Sequence, residues 1–217
     1  MSALNLQFER EAPEILCIGA HCDDIEIGCG GTLLQLADAH PNLIVHYVVF
    51  TGDDDRVSEA RGAIGDIAGD CVRLHAFGFR DSYLPYEQSG PKDALKEIAA
   101  SVNPDLILTH NRNDLHQDHR LVSELTWNLF RHHLIWEYEI PKFDGDLGQP
   151  NIFVPLSDDV MNRKITILRA HYASQASKAW FDESTFRAIA RIRGMESVGD
   201  DKYAEAFYLR KGRIKIQ

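Results

Sequence analysis

Short apolar runs alternate with longer stretches of helical periodicity along this chain, and that alternation restricts its fold more than any other feature. Apolar runs at Ile15–Ala20, Leu43–Phe50, Cys71–Phe77, Leu106–His110, Leu134–Ile140 and Ile152–Val154 read as strands. The intervening periodicity predicts helices over Gly30–Ala39, Arg56–Ala68, Lys92–Val102, His116–His132, Asp158–Ala170 and Glu183–Arg193. Strands and helices in this order build βαβ units around a parallel sheet, so the fold class is α/β with a mainly parallel sheet flanked by helices. At 217 residues the chain fits one domain, 1–217. Asp114 followed by Gln117 resembles a capping box, and "IPKFDGDLGQPN", 140–151, reads as a loop that borders a site.

In an open parallel sheet, ligands sit beyond the carboxyl ends of the strands, where βα loops and helix N-termini converge. The densest polar clusters of this chain fall there. Ile15–Ala20 runs directly into His21, Asp23, Asp24 and Glu26; Leu43–Phe50 into "TGDDDR"; Leu106–His110 into "NRNDLHQDH". Taken alone, "DDD" at 53–55 is explained by helix capping and solvation. Two features resist that explanation. His21 closely precedes two adjacent carboxylates, and His116 and His119 lie one helical turn apart, on one face.

Two imidazoles and a carboxylate drawn from two loops make a three-ligand zinc site with a position left open, and His21, Asp24 and His119 supply that set. Asp23, His116 and Asp118 then remain for other work. A purely structural zinc site is instead closed by a fourth protein ligand. Cys17, Cys22, Cys29 and Cys71 form no CxxC pair, so no four-sulfur set assembles. Gly28, Gly30 and Gly31 let the backbone turn and the following helix pack closely, but they do not spell the dinucleotide pattern GxGxxG.

The net charge of −10, from 23 basic and 33 acidic residues, argues against nucleic acid or an anionic membrane as the main partner. No apolar run approaches the roughly 18 residues of a membrane span, and "MSALNLQFEREAPE" lacks the plan of a signal peptide, so the expected location is the cytoplasm.

With both loops read, the chain resembles the PIG-L or LmbE-like zinc-dependent N-acetylglucosaminyl de-N-acetylases. The motif AHPDD followed by E appears as "AHCDDIE" at 20–26, and HPDH as "HQDH" at 116–119. Arg56 and Glu59 in "TGDDDRVSEA", Gln175 in "HYASQ" and Glu205 in "YAEAF" resemble further positions in the same order. Cys22 and Gln117 stand where the family usually has proline, which bears on loop rigidity and on thiol reactivity near the metal.

The resemblance implies a three-layer Rossmann-like fold and one Zn2+ per chain held by His21, Asp24 and His119, another divalent metal being an alternative. It further implies Asp23 as general base, His116 as the group that stabilises the oxyanion and Asp118 as the carboxylate that orients His116. Arg56 would bind sugar hydroxyls or a phosphate, or else pair with Glu59 on the surface. Such a protein hydrolyses the N-acetyl group of a small amino-sugar substrate, free or linked to a nucleotide or lipid, and the family tends to self-assemble. Two rival readings stand beside it: a non-haem iron(II) oxygenase, which also uses two histidines and a carboxylate, and a non-catalytic sugar- or nucleotide-binding α/β module.

Overall fold

The computed structural model describes residues 4–87 and 89–213. Its centre is one seven-stranded sheet in the order β3-β2-β1-β4-β5-β7-β6. The strands are β1 (Glu14–Gly19), β2 (Ile44–Thr51), β3 (Val72–Phe79), β4 (Leu106–His110), β5 (Ile135–Tyr138), β6 (Ile152–Leu156) and β7 (Tyr203–Leu209). β1 to β5 run parallel, and β7 lies antiparallel between β5 and β6.

Alternation along the strands explains the layering. Cys17, Tyr47 and Val49 face one core, packed with residues of α1 (Asp24–Ala39), α2 (Asp54–Ala68), α5 (Asp158–His171) and α6 (Glu183–Glu196). Leu16, Ile18, Val48 and Phe50 face the other, packed with α3 (Gly90–Ser101) and α4 (Gln117–Leu129). The three-layer α/β architecture expected from the sequence is present. Chain order reverses between β1 and β4, which are hydrogen-bonded neighbours. Such a switch point opens a crevice at the carboxyl ends of the strands.

Three local features depart from the sequence reading. First, α1 begins at Asp24 rather than Gly30, so the acidic motif is the first turn of a helix. That helix is broken at Cys29 (φ −147°, ψ 18°), which frees backbone groups on both sides of the kink. The Glu205 carboxylate, on β7, accepts from Gly31 N at 2.8 Å, Thr32 N at 2.7 Å and Thr32 Oγ1 at 2.6 Å. Lys164 of α5 donates to Ile27 O and to Glu205, each at 2.7 Å. Glu205 therefore serves the kink. Glycine is required here by close approach: a Cβ on Gly28 would lie 2.3 Å from the Tyr138 ring, and one on Gly31 would lie 2.7 Å from Leu156.

Second, the structure adds β7, whose apolar pattern is broken by Glu205 in its middle; the carboxylate is buried nonetheless, neutralised by Lys164. Third, α4 ends at Leu129, so His132 lies beyond the helix rather than at its end. The residue capping its N-terminus is His116, not Asp114.

Candidate functional site

The β1–α1 and β4–α4 connections meet at the switch point and bring the two motifs together. Nδ1 of His21 lies 3.2 Å from Nε2 of His119. The Asp24 carboxylate completes the triangle, with Oδ2 3.3 Å from His21 Nδ1 and Oδ1 3.5 Å from His119 Nε2. Donors that each sit about 2.0–2.1 Å from a tetrahedral zinc ion are about 3.3 Å from one another. The nitrogen–nitrogen spacing and the approach of one Asp24 oxygen to each nitrogen match that separation, and two imidazoles with a carboxylate are a donor set that fits the ion. All three side chains are largely withdrawn from solvent.

The electrostatics agree with a cation at this point. Burial opposes charge on His21, yet Asp24, Asp118 and Asp81 together hold its pKa well above the ordinary histidine range. His119 is likewise raised, burial being outweighed by Asp24 and Asp114. Burial also acts against the Asp24 carboxylate, but His119, His110 and His21 keep it ionised, well below the usual range. Without a metal, protons gather where the carboxylates demand positive charge.

Asp23 occupies the N-cap position of α1 next to this cluster, makes no side-chain capping bond and is buried. Arg56, in the first turn of α2, donates from Nη2 to Asp23 Oδ1 at 2.8 Å, and its Nε stands 3.6 Å from Glu59. Burial and the adjacent Asp24 raise the Asp23 pKa, with Arg56 and His21 pulling the other way. Glu59 in turn accepts from Ser174 N and Oγ, at 2.8 Å and 2.6 Å, so the 173–175 turn carrying Gln175 is tied to the same group. Asp53 caps α2 by accepting from Arg56 N, as capping propensity suggests.

His116 Nδ1 accepts from the backbone N–H of Asp118 at 3.3 Å. The ring proton of a neutral His116 therefore sits on Nε2, the end left for another partner. Burial, followed by the charges of His119 and His21, lowers its pKa and favours the neutral ring.

The Asp118 side chain is placed differently from the expectation that it orients His116. Its carboxylate accepts from Ser82 N at 2.7 Å and Leu84 N at 3.2 Å, and faces His21 Nε2 at 3.5 Å. On a helix the carboxylate of Asp118 projects away from the imidazole of His116, here toward the loop after β3.

Four neighbours had no signal in the sequence reading as site residues. Asp81, in that loop, lies 3.2 Å from His21 Nε2. His110 closes β4, and its Nε2 lies 3.1 Å from Asp24 Oδ2 and accepts from Ala20 N at 3.0 Å. Asp114 pairs with His119 Nδ1 at 2.9 Å, and Lys142 reaches Asp114 at 2.9 Å from the 140–151 loop, which does border the site. The Cys22 thiol donates to Thr51 O at 3.3 Å, and burial pushes its pKa up to about 12, which disfavours the thiolate. Arg193 of α6 is buried against Glu139.

This geometry coincides with a family match. The family model described as PIG-L: GlcNAc-PI de-N-acetylase matches residues 16–130, which contain both motifs and the strands that carry them. The chain belongs to the PIG-L family. Its relatives include the uncharacterized deacetylase YaiS of Escherichia coli, 31% identical over 170 residues that span 72% of this chain and 89% of YaiS. A diacetylchitobiose deacetylase of Thermococcus kodakarensis is 28% identical, with 90% of this chain and 82% of that protein covered.

Among solved structures, the N,N'-diacetylchitobiose deacetylase of Pyrococcus horikoshii superposes with a TM-score of 0.74 at 23% identity, over 91% of this chain and 84% of its own. GalB of Pseudomonas putida, a 4-carboxy-2-hydroxymuconate hydratase, gives 0.75 at 17% identity, over 94% and 99%. At those identities the structures show a shared PIG-L-type fold, and the hydratase demonstrates that this fold also carries other chemistry. Among the described residues, no helix is long and apolar enough to cross a membrane.

Proposed function

We propose that this PIG-L protein is a zinc-dependent hydrolase that removes the N-acetyl group from an N-acetylglucosamine-type amino sugar and releases acetate. The observation that carries the proposal is the converging set of His21 Nδ1, the Asp24 carboxylate and His119 Nε2, with the His116 ring beside it, and the proposal leaves Asp23 and His116 free for catalysis. The sugar substrate is supported by the family match and by the diacetylchitobiose deacetylase relative.

His21, Asp24 and His119 would hold the ion, which when bound polarises a carbonyl and brings the pKa of a water to about 7. Asp23 is the general base. Its raised pKa gives it more affinity for a proton than an exposed carboxylate has, and its pairing with Arg56 fixes its direction. As water adds to the acetamide carbon, Asp23 takes the proton and negative charge grows on the carbonyl oxygen. His116, neutral and protonated on Nε2, donates a hydrogen bond to that oxygen. Cleavage of the C–N bond then requires a proton on the departing nitrogen. Asp23 returns the one it took, since His116 holds no second proton. Arg56 adds positive charge where sugar hydroxyls or a phosphate would lie, while Asp118 holds His21 and the 82–84 loop in place.

The test is an assay of acetate release from a panel of N-acetylglucosaminyl compounds, alongside the zinc content of Asp23→Asn. The proposal expects release from at least one compound, abolished by a chelator and restored by zinc, and a metal-loaded but inactive Asp23→Asn. Binding of an N-acetyl sugar without acetate release would instead favour a non-catalytic binding module, and iron-dependent oxygen consumption would favour an oxygenase.

A further inference from the structure

Asp114 sits behind His119, on the side of the ring away from the donor triangle. Its Oδ2 lies 2.9 Å from His119 Nδ1, and its Oδ1 accepts from the backbone N–H of His116 at 2.8 Å. The same Oδ2 lies 2.9 Å from the Lys142 ammonium, so the carboxyl is held as the anionic member of an ion pair. An ionised carboxylate only accepts hydrogen bonds. The proton of a neutral His119 therefore belongs on Nδ1, and the lone pair on Nε2, the atom facing His21 and Asp24.

What keeps Asp114 there comes from a different part of the chain. Lys142, in the loop after β5, places its Nζ 2.9 Å from Asp114 Oδ2 and 2.8 Å from Asp146 Oδ1, and donates to Ile140 O at 3.3 Å. Its three N–H groups are thus fully used inside the loop and the site. Asp146 closes the circuit, since its Oδ2 accepts from Leu115 N, next to Asp114, at 2.7 Å. Lys142 and Asp146 are both little exposed, so neither is a solvated surface ion.

We infer that Asp114 is the positioning residue for His119, and that Lys142, clamped between Asp114 and Asp146, makes the loop over 140–151 part of the metal site's support. The inference rests on the proposed ligand role of His119 and adds residues outside the two sequence motifs. It explains why a lysine stands beside a site built to attract a cation. Its charge is spent on two outer carboxylates, which leaves the donor triangle's own demand for positive charge unmet. Hydrogen-bonded partners of a metal-binding histidine typically contribute about 10–100-fold to metal affinity.

The test measures zinc affinity of the full chain by competition with a chromogenic chelator, together with the 15N imidazole signals of His119 in the metal-free protein at a pH where the ring is neutral. Asp114→Asn keeps the shape of the side chain and is expected to bind zinc about 10–100-fold more weakly, with the His119 signals moving from one tautomer toward a mixture. Lys142→Met is expected to weaken zinc in the same direction, and Lys142→Arg to restore most of the loss, because a second cation still bridges the carboxylates.

Circular dichroism confirms that each variant is folded, and Lys142→Met carries the test should Asp114→Asn not fold. Unchanged zinc affinity and an unchanged tautomer in folded Asp114→Asn or Lys142→Met would overturn the inference. His119→Ala separates this from the underlying reading. If that variant loses zinc while Asp114→Asn does not, only the support role fails; if it too retains zinc, the ligand assignment fails first.

Discussion

Nε2 of His119 stands 3.2 Å from Nδ1 of His21, although the two residues are 98 positions apart. Their meeting is a consequence of strand order. β1 and β4 are neighbours at the point where the sheet reverses direction of assembly, and the residues after each strand must share one crevice. Two nitrogen atoms this close share a hydrogen bond in the absence of an ion, and the Asp24 carboxylate beside both favours positive charge at that point.

Loss of the proposed oxyanion donor should be separable from loss of metal. His116 caps α4 and stands outside the donor triangle, so His116→Ala is expected to lower kcat by about 10²–10³ while zinc content stays near one per chain. Steady-state kinetics with metal analysis check this. Full activity in the variant would remove the role of Nε2–H.

The pairing of Arg56 with Asp23 predicts a pH effect of definite sign. A nearby cation favours the ionised carboxylate, so Arg56 lowers the Asp23 pKa, against the burial and the Asp24 charge that raise it. A general base works when deprotonated, and activity should rise with pH through the Asp23 pKa. Arg56→Met removes the lowering charge and is expected to move the acid limb of the kcat/KM profile to higher pH. An acid limb that stays in place or moves down would show that Arg56 does not act on the base.

Glu205 holds the α1 kink through two backbone amides and Lys164, all buried. Glu205→Ala strands the Lys164 ammonium and is expected to reduce stability by about 3–5 kcal/mol in urea unfolding. A loss below about 1 kcal/mol would mean that the kink is maintained by other contacts.

Much of this arrangement was legible in the order of residues. Strand ends can be found from apolar runs, and acidic and histidine clusters placed directly after Ala20 and after His110 had to fall at the same edge of a parallel sheet. What escaped detection escaped for physical reasons. His110 ends an apolar strand and looks like part of it; only the pairing of β1 with β4 brings it to Asp24. Asp114 has the appearance of a helix cap because it does accept a backbone N–H, that of His116, while its other oxygen serves His119. Lys142 and Asp81 are ordinary loop residues until tertiary structure supplies their partners. Asp118 shows the reverse case: its motif position was plain, but the direction of its side chain depends on the 82–84 backbone, to which no local pattern points.

The most direct test is a crystal structure of the zinc-soaked protein with data collected on both sides of the zinc absorption edge. The account predicts one anomalous peak inside the triangle of His21 Nδ1, the Asp24 carboxylate and His119 Nε2, each about 2.0–2.2 Å from the ion, with Asp23 and His116 not coordinated. A peak held by other residues, or an ion whose coordination is completed by a fourth protein side chain, would contradict it.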